Sequence, residues 1–150
     1  PIKGLISFEF WQEDFYWISH QDDCPQGVKE ITSNELSLEN LMLLKDGHCL
    51  KEHALAACQM KTESNEQEFS GTSLHTLIQM VAGKIGTTLV PEMALEQLVK
   101  NNAEIRAIHL NEPGPHRKIA MVVRPNYLRV NDLERLKALF CHTLSHEKTE

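Results

Sequence analysis

The chain has no apolar run of membrane-spanning length and no basic-then-apolar opening that reads as a signal peptide. Positive charge is also short: 15 Lys and Arg stand against 21 Asp and Glu, a formal net charge of −6. A chain so balanced is not expected to grip a phosphate backbone by itself. Aromatic residues make up only 6% of the 150. Six of them, Phe8, Phe10, Trp11, Phe15, Tyr16 and Trp17, crowd one early segment, and we expect strand core or a subunit contact there. Four cysteines at irregular spacing make no secreted disulfide framework. We expect a cytoplasmic protein with reduced thiols and no membrane partner. The chain opens at Pro1 and runs almost at once into strand-like residues, as a piece cut from a longer protein would.

What the chain does have is Cys49 and Cys58, nine residues apart in a segment of strong helix formers from His48 to Cys58. In an intact helix nine residues rise about 13.5 Å and turn through about 900°, which puts the two thiols on opposite faces. A disulfide needs Cα atoms within roughly 7 Å. Two readings stay open: a pair that joins only if the helix comes apart, or two ordinary reduced cysteines, one in the core. His48, Cys49, His53 and Cys58 crowd eleven residues, but without a Cys-x-x-Cys or His-x-x-x-His spacing among them no metal is expected. Cys24 falls in a polar loop and Cys141 in the last helix, and both are expected to be incidental. The histidines elsewhere are expected on the solvated surface.

Coarse patterning alternates strands and helices. Strands are expected over 8–20, 41–44, 68–70, 87–90, 105–110 and 119–123, the first with its core at 15–19. Residues 21–37 read as loop. The clearest helix starts at Thr72 or Ser73 as cap, places Leu74, Leu77, Ile78, Val81 and Ala82 on one face, and ends at Gly83 or Gly86. A short helix is expected over 92–99 and a closing one over 132–142. The alternation with short connections predicts an α/β fold of βαβ units on a parallel sheet.

Asp46-Gly47-His48-Cys49-Leu50, with Cys58 nine residues on, resembles the redox segment of the peroxide-sensing LysR-type transcriptional regulators. The run Thr72 to Ala82, then Gly86-Thr87-Thr88-Leu89-Val90-Pro91, is similar to the effector-domain signature of LysR-type regulators generally, and Val122-Val123-Arg124-Pro125 to their late strand. Lys84 departs from the pattern, standing where that family usually has glycine. The resemblance implies a type 2 periplasmic-binding-protein-like effector domain: one complete lobe plus the returning part of the second. Residues 15–100 would then be mainly the second lobe, with 1–14 and 101–150 mainly hinge and first-lobe elements.

The same resemblance implies the chemistry. Cys49 is the peroxide-reacting thiol and Cys58 the resolving one, with Asp46, Gly47, His48 and Lys51 supporting the thiolate at a helix N-terminus. Thr72 and Ser73 are candidates for the cleft between lobes. It implies no enzyme activity and no cofactor, hydrogen peroxide as the signal, and a homodimer or tetramer. DNA is bound through an N-terminal domain that this chain lacks, and RNA polymerase is a further partner. The alternative is an effector domain that binds a small-molecule inducer and has inert cysteines. A thiol peroxidase is a third class, and nothing in the chain resembles that scaffold.

Overall fold

The computed structural model describes residues 3–44, 48–58, 67–69 and 73–147, with only the backbone for residues 38, 48–51 and 67–69. In chain order the strands are β1 (Ile6–Glu13), β2 (Phe15–His20), β3 (Glu30–Ile31), β4 (Met42–Leu44), β5 (Gln67–Phe69), β6 (Thr88–Pro91), β7 (Ile105–Leu110) and β8 (Arg117–Val123). The α-helices are α1 (His48–Ala57), α2 (Leu74–Ala82), α3 (Leu95–Leu98) and α4 (Val130–Glu147). They fall into two compact units, one of residues 13–117 and the other of 1–12 with 118–150.

The larger unit is built on a sheet of order β3-β7-β2-β6. The patterning predicted parallel strands, and here the structure differs. β2 runs antiparallel to both neighbours, with Phe15 opposite Pro91 and His20 opposite Ile105. The physical reason is that β6 and β7 are joined by a helical crossover through α3, which makes them parallel and leaves β2 between them. β2 itself follows another strand and precedes a loop, so helix–strand alternation carries no information about its direction. Parallel pairing holds for β3 with β7 and for β4 with β5. A parallel bridge between Leu41 and Thr87 ties the start of β4 to β6.

Period-two alternation sends the strand side chains into two cores. Phe15, Trp17, Leu41, Leu43, Leu89, Ile108 and Leu110 cluster with Ala54, Leu55, Ala57 and Cys58 of α1. Ile18, Met42, Val90 and Ile105 cluster with Leu77, Ile78 and Val81 of α2. Helices on both sides explain why β2 is buried along its length, with only Tyr16 half-buried.

α2 forms where its apolar spacing predicts. The Ser73 hydroxyl accepts a hydrogen bond from the Thr76 backbone N–H at 3.2 Å. At its other end Ile85 N–H bonds to Met80 O and Lys84 N–H to Val81 O, the paired bonds of a Schellman ending. The left-handed residue there is Lys84, with φ 60°, while Gly83 has an ordinary φ of −81°. Gly86 is required for a different reason. A Cβ there would lie 2.5 Å from the Asn40 carbonyl oxygen.

In the smaller unit β1 pairs with β8. Phe10 stacks on Phe140 of α4 with ring centroids 5.8 Å apart, and the Cys141 thiol donates to Phe10 O at 3.1 Å. Along α4, Leu136, Leu139 and Phe140 stay exposed, as does Leu128 before it. Of the early aromatic group, Phe15 and Trp17 are buried in the strand core of the larger unit. Among the described residues no helix is long and apolar enough to cross a membrane.

Candidate functional site: the cysteine helix and its surroundings

α1 lies in sequence between the parallel strands β4 and β5, and begins one residue before Cys49. Cys49 therefore occupies the first turn, where backbone N–H groups lack intrahelical partners and the helix dipole is positive. His48 and Lys51 belong to the same turn by backbone position. Asp46, Gly47 and Thr72 lie outside the described residues. Ser73 is exposed and acts as the α2 cap.

Cys58 sits just past the other end, its N–H still bonded to Ala54 O at 3.1 Å. It is 4% exposed, and its thiol is pushed up to about 12, first by burial and then by the nearby Glu112 carboxylate. Glu112 is itself held below the usual carboxylate range by hydrogen bonds from the Ser33 side chain and then from the Ser33 backbone N–H at 2.7 Å. Cys58 in this state is a neutral, enclosed thiol and a poor nucleophile. His53, one turn after Cys49, keeps its ring Nδ1 buried with no hydrogen-bond partner among the described residues.

Cys24 lies in the loop after β2, as expected, and is 6% exposed, in the same core cluster as Cys58. The turn in which Asp23 N–H bonds to His20 O brings the loop back onto the sheet. Cys24, Cys58 and Cys141 are all unpaired thiols.

The histidines also depart from the surface expectation. His116 is buried, its Nδ1 accepting the Phe15 N–H at 3.0 Å and its Nε2 placed 3.0 Å from Glu112 O. His109 meets Asp14 at 3.0 Å, and with His116 nearby it draws the Asp14 carboxyl below its usual range, against a desolvation that pushes it up. Beside them the fully buried Glu13 carboxylate accepts from Arg117 at 3.0 Å. His109 and Asp14, Phe15 and His116, and Glu13 and Arg117 are each about a hundred positions apart in sequence and meet only through the fold. A His-x-x-x-His spacing does occur at His142 and His146, whose Nε2 atoms are 3.1 Å apart on exposed α4. No group of three or more potential metal ligands forms among the described residues.

A helix running from His48 to Ala57, with one cysteine in its first turn and another just past its end, connects the parallel strands β4 and β5. The LysR substrate binding domain family matches residues 1–143, and the chain belongs to that family, one of transcriptional regulator domains rather than an enzyme class. The HTH-type transcriptional regulator EstR of Acinetobacter baylyi is 33% identical over 123 residues, which cover 81% of this chain and 40% of that protein. The hydrogen peroxide-inducible genes activator of Dickeya chrysanthemi is 32% identical over 123 residues, covering 82% of this chain and 40% of that protein. The reduced form of the regulatory domain of OxyR2 from Vibrio vulnificus superposes with a TM-score of 0.76 at 32% identity, over 91% of this chain and 64% of that one. The chain thus spans about two fifths of the length of these two curated relatives, and its fold is that of an OxyR-type regulatory domain.

Proposed function

We propose that this chain is the redox-sensing regulatory domain of a hydrogen-peroxide-responsive LysR-type transcription activator, switched by a reversible Cys49–Cys58 disulfide. The observation that carries it is the state of Cys58: a core thiol, held neutral by its burial, at the far end of the helix that starts at Cys49. The Cys49 thiolate attacks one peroxide oxygen and becomes a sulfenic acid. The other oxygen leaves as hydroxide and takes up a proton to form water. Cys58 then attacks the sulfenic sulfur, its own proton and the departing hydroxide forming a second water. For that step the helix must open, because the intact helix holds the thiols about 13.5 Å apart along its axis. Opening also returns Cys58 to solvent and to an ordinary thiol acidity, so one event supplies both reach and nucleophilicity. The bistable helix then biases the subunit arrangement of a homo-oligomer that binds DNA through a domain outside this chain. RNA polymerase contacts, a cytoplasmic location, and a place for Thr72 and Ser73 in an inter-lobe cleft belong to the same reading, as does the assignment of residues 15–100 to the second lobe. His48 and Lys51 add donors or positive charge beside the Cys49 thiolate, and Asp46 and Gly47 complete the supporting thiolate and peroxide site.

The match to a LysR substrate binding domain leaves a second reading, an effector domain that binds a small inducer and carries inert cysteines. Thiol titration before and after stoichiometric peroxide separates them. Loss of two thiols without turnover, mapped to Cys49 and Cys58 by mass spectrometry, is the expected result. Cys49→Ser should abolish the loss, and Cys58→Ser should leave a sulfenic acid that a dimedone-type probe captures. Four thiols retained, or equal probe reactivity of the two single variants, would overturn the assignment.

A further inference from the structure

The end of α4 carries a side-chain pair that the redox chemistry does not use. His142 and His146 stand four residues apart on one face of the helix, both exposed, with ring centroids 4.3 Å apart. Their Nε2 atoms face each other at 3.1 Å. With Cys141 and Ser145 they line an open groove of about 370 Å³.

Two neutral imidazoles meet in this way only if one gives its proton to the lone pair of the other. Between exposed groups such a bond contributes little, because water competes for both partners. A metal ion uses both lone pairs at once. With metal–nitrogen bonds of about 2.0–2.1 Å, the 3.1 Å separation subtends about 95–102° at the ion. That angle lies between the right angle of square-planar or octahedral coordination and the tetrahedral angle. The place also favours a cation, since His146 lies in the last turn of α4, at the negative end of the helix dipole. Cys141 is not part of the donor set. Its thiol donates to Phe10 O at 3.1 Å, and it lies about 100° round the helix from His142.

We propose that His142 and His146 form a bidentate site for a borderline divalent transition metal ion, copper(II) or nickel(II), with water in the remaining positions. Imidazole nitrogens select this class over magnesium and calcium, which take oxygen donors. The bound ion clips the last turn of α4 to the turn before it. Its binding does not depend on the redox reading.

The test titrates nickel(II), which does not oxidise thiols, into chain labelled with 15N-histidine. Of the eight histidines, paramagnetic broadening should remove the ring signals of His142 and His146 first. Those signals are assigned with His142→Ala and His146→Ala. Calorimetry should show saturable binding that either substitution weakens at least about tenfold, because each imidazole raises the effective concentration of the other. His146→Ala combined with Ala138→His moves the pair one turn back along the exposed face and should restore the affinity. His146→Ala combined with Thr143→His puts the second imidazole beside the first in sequence and should not. Earlier broadening of any other histidine, unchanged affinity in the single variants, or equal competition by magnesium would overturn the proposal.

Discussion

α1 and α2 pack against opposite faces of the same strands, yet they are held very differently. α2 buries Leu77, Ile78 and Val81, each at 1% exposure or less, roughly 1.5–3 kcal/mol of transfer free energy apiece. It has a hydroxyl cap at one end and a Schellman ending at the other. Among its described side chains, α1 buries one large residue, Leu55, with the small Ala54 and Ala57. A helix anchored by alanines opens at lower free energy than one anchored by branched aliphatics, because less apolar area returns to water. The difference teaches why a redox segment can be remodelled while the lobe that carries it stays folded.

The largest test of the contrast is truncation of the firm side. Ile78→Ala should cost about 2–5 kcal/mol in denaturant unfolding, since the site is fully enclosed and cannot collapse. A loss below that range would remove α2 as the rigid reference. Next, native-state amide exchange should show residues 50–58 opening at least about 2 kcal/mol below 76–83, on the difference in buried area. On disulfide formation the first segment should lose protection and the second should keep it. Equal opening energies in the reduced protein would break the comparison outright.

Cys58 gives a pH test. Its folded-state thiol lies near 12 against an ordinary 9.0, so the folded chain keeps a proton that the unfolded chain releases. This contribution is fully present below about pH 9 and is lost as pH rises toward 12. Stability should decline through that alkaline window, and the decline should be smaller in Cys58→Ala. Iodoacetamide should label Cys58 of the folded protein far more slowly than the same residue after unfolding. The smallest effects belong to the ends of α2. Ser73→Ala should cost about 1 kcal/mol. Lys84→Gly should raise stability by less than the Ser73 loss, because it relieves a left-handed backbone but gives up the exposed contact with Asp22.

The α2 helix, the strand pattern and the buried role of Cys58 were legible because each rests on local spacing, and period 3.6 or period 2 is written directly in neighbouring residues. The end of α2 was half legible. A Schellman turn needs one left-handed residue, and glycine at 83 suggested it, but the hydrogen bonds select 84 and the backbone tolerates lysine there. Cys24 was rightly placed in a loop, but its burial was not legible, because polar neighbours describe a loop's composition and not the direction in which it folds back. The buried His116, the His109–Asp14 pair and the Glu13–Arg117 pair left no trace in the sequence. Their partners are separated by about a hundred positions and meet only through strand pairing.

The sequence by itself determined most of the helices and strands, though not the break between β1 and β2 or the short β3, and with them the family to which the chain belongs and the two cysteines whose spacing an intact helix cannot bridge. Local periodicity and side-chain chemistry suffice for these. Only the tertiary structure decided that β2 runs against its neighbours, and that Cys58 is sealed in a core cluster with Trp17 and Ile31 and shifted by that burial and by Glu112. Direction, burial and electrostatic environment are properties of what packs around a residue, and the neighbours that set them are chosen by the fold.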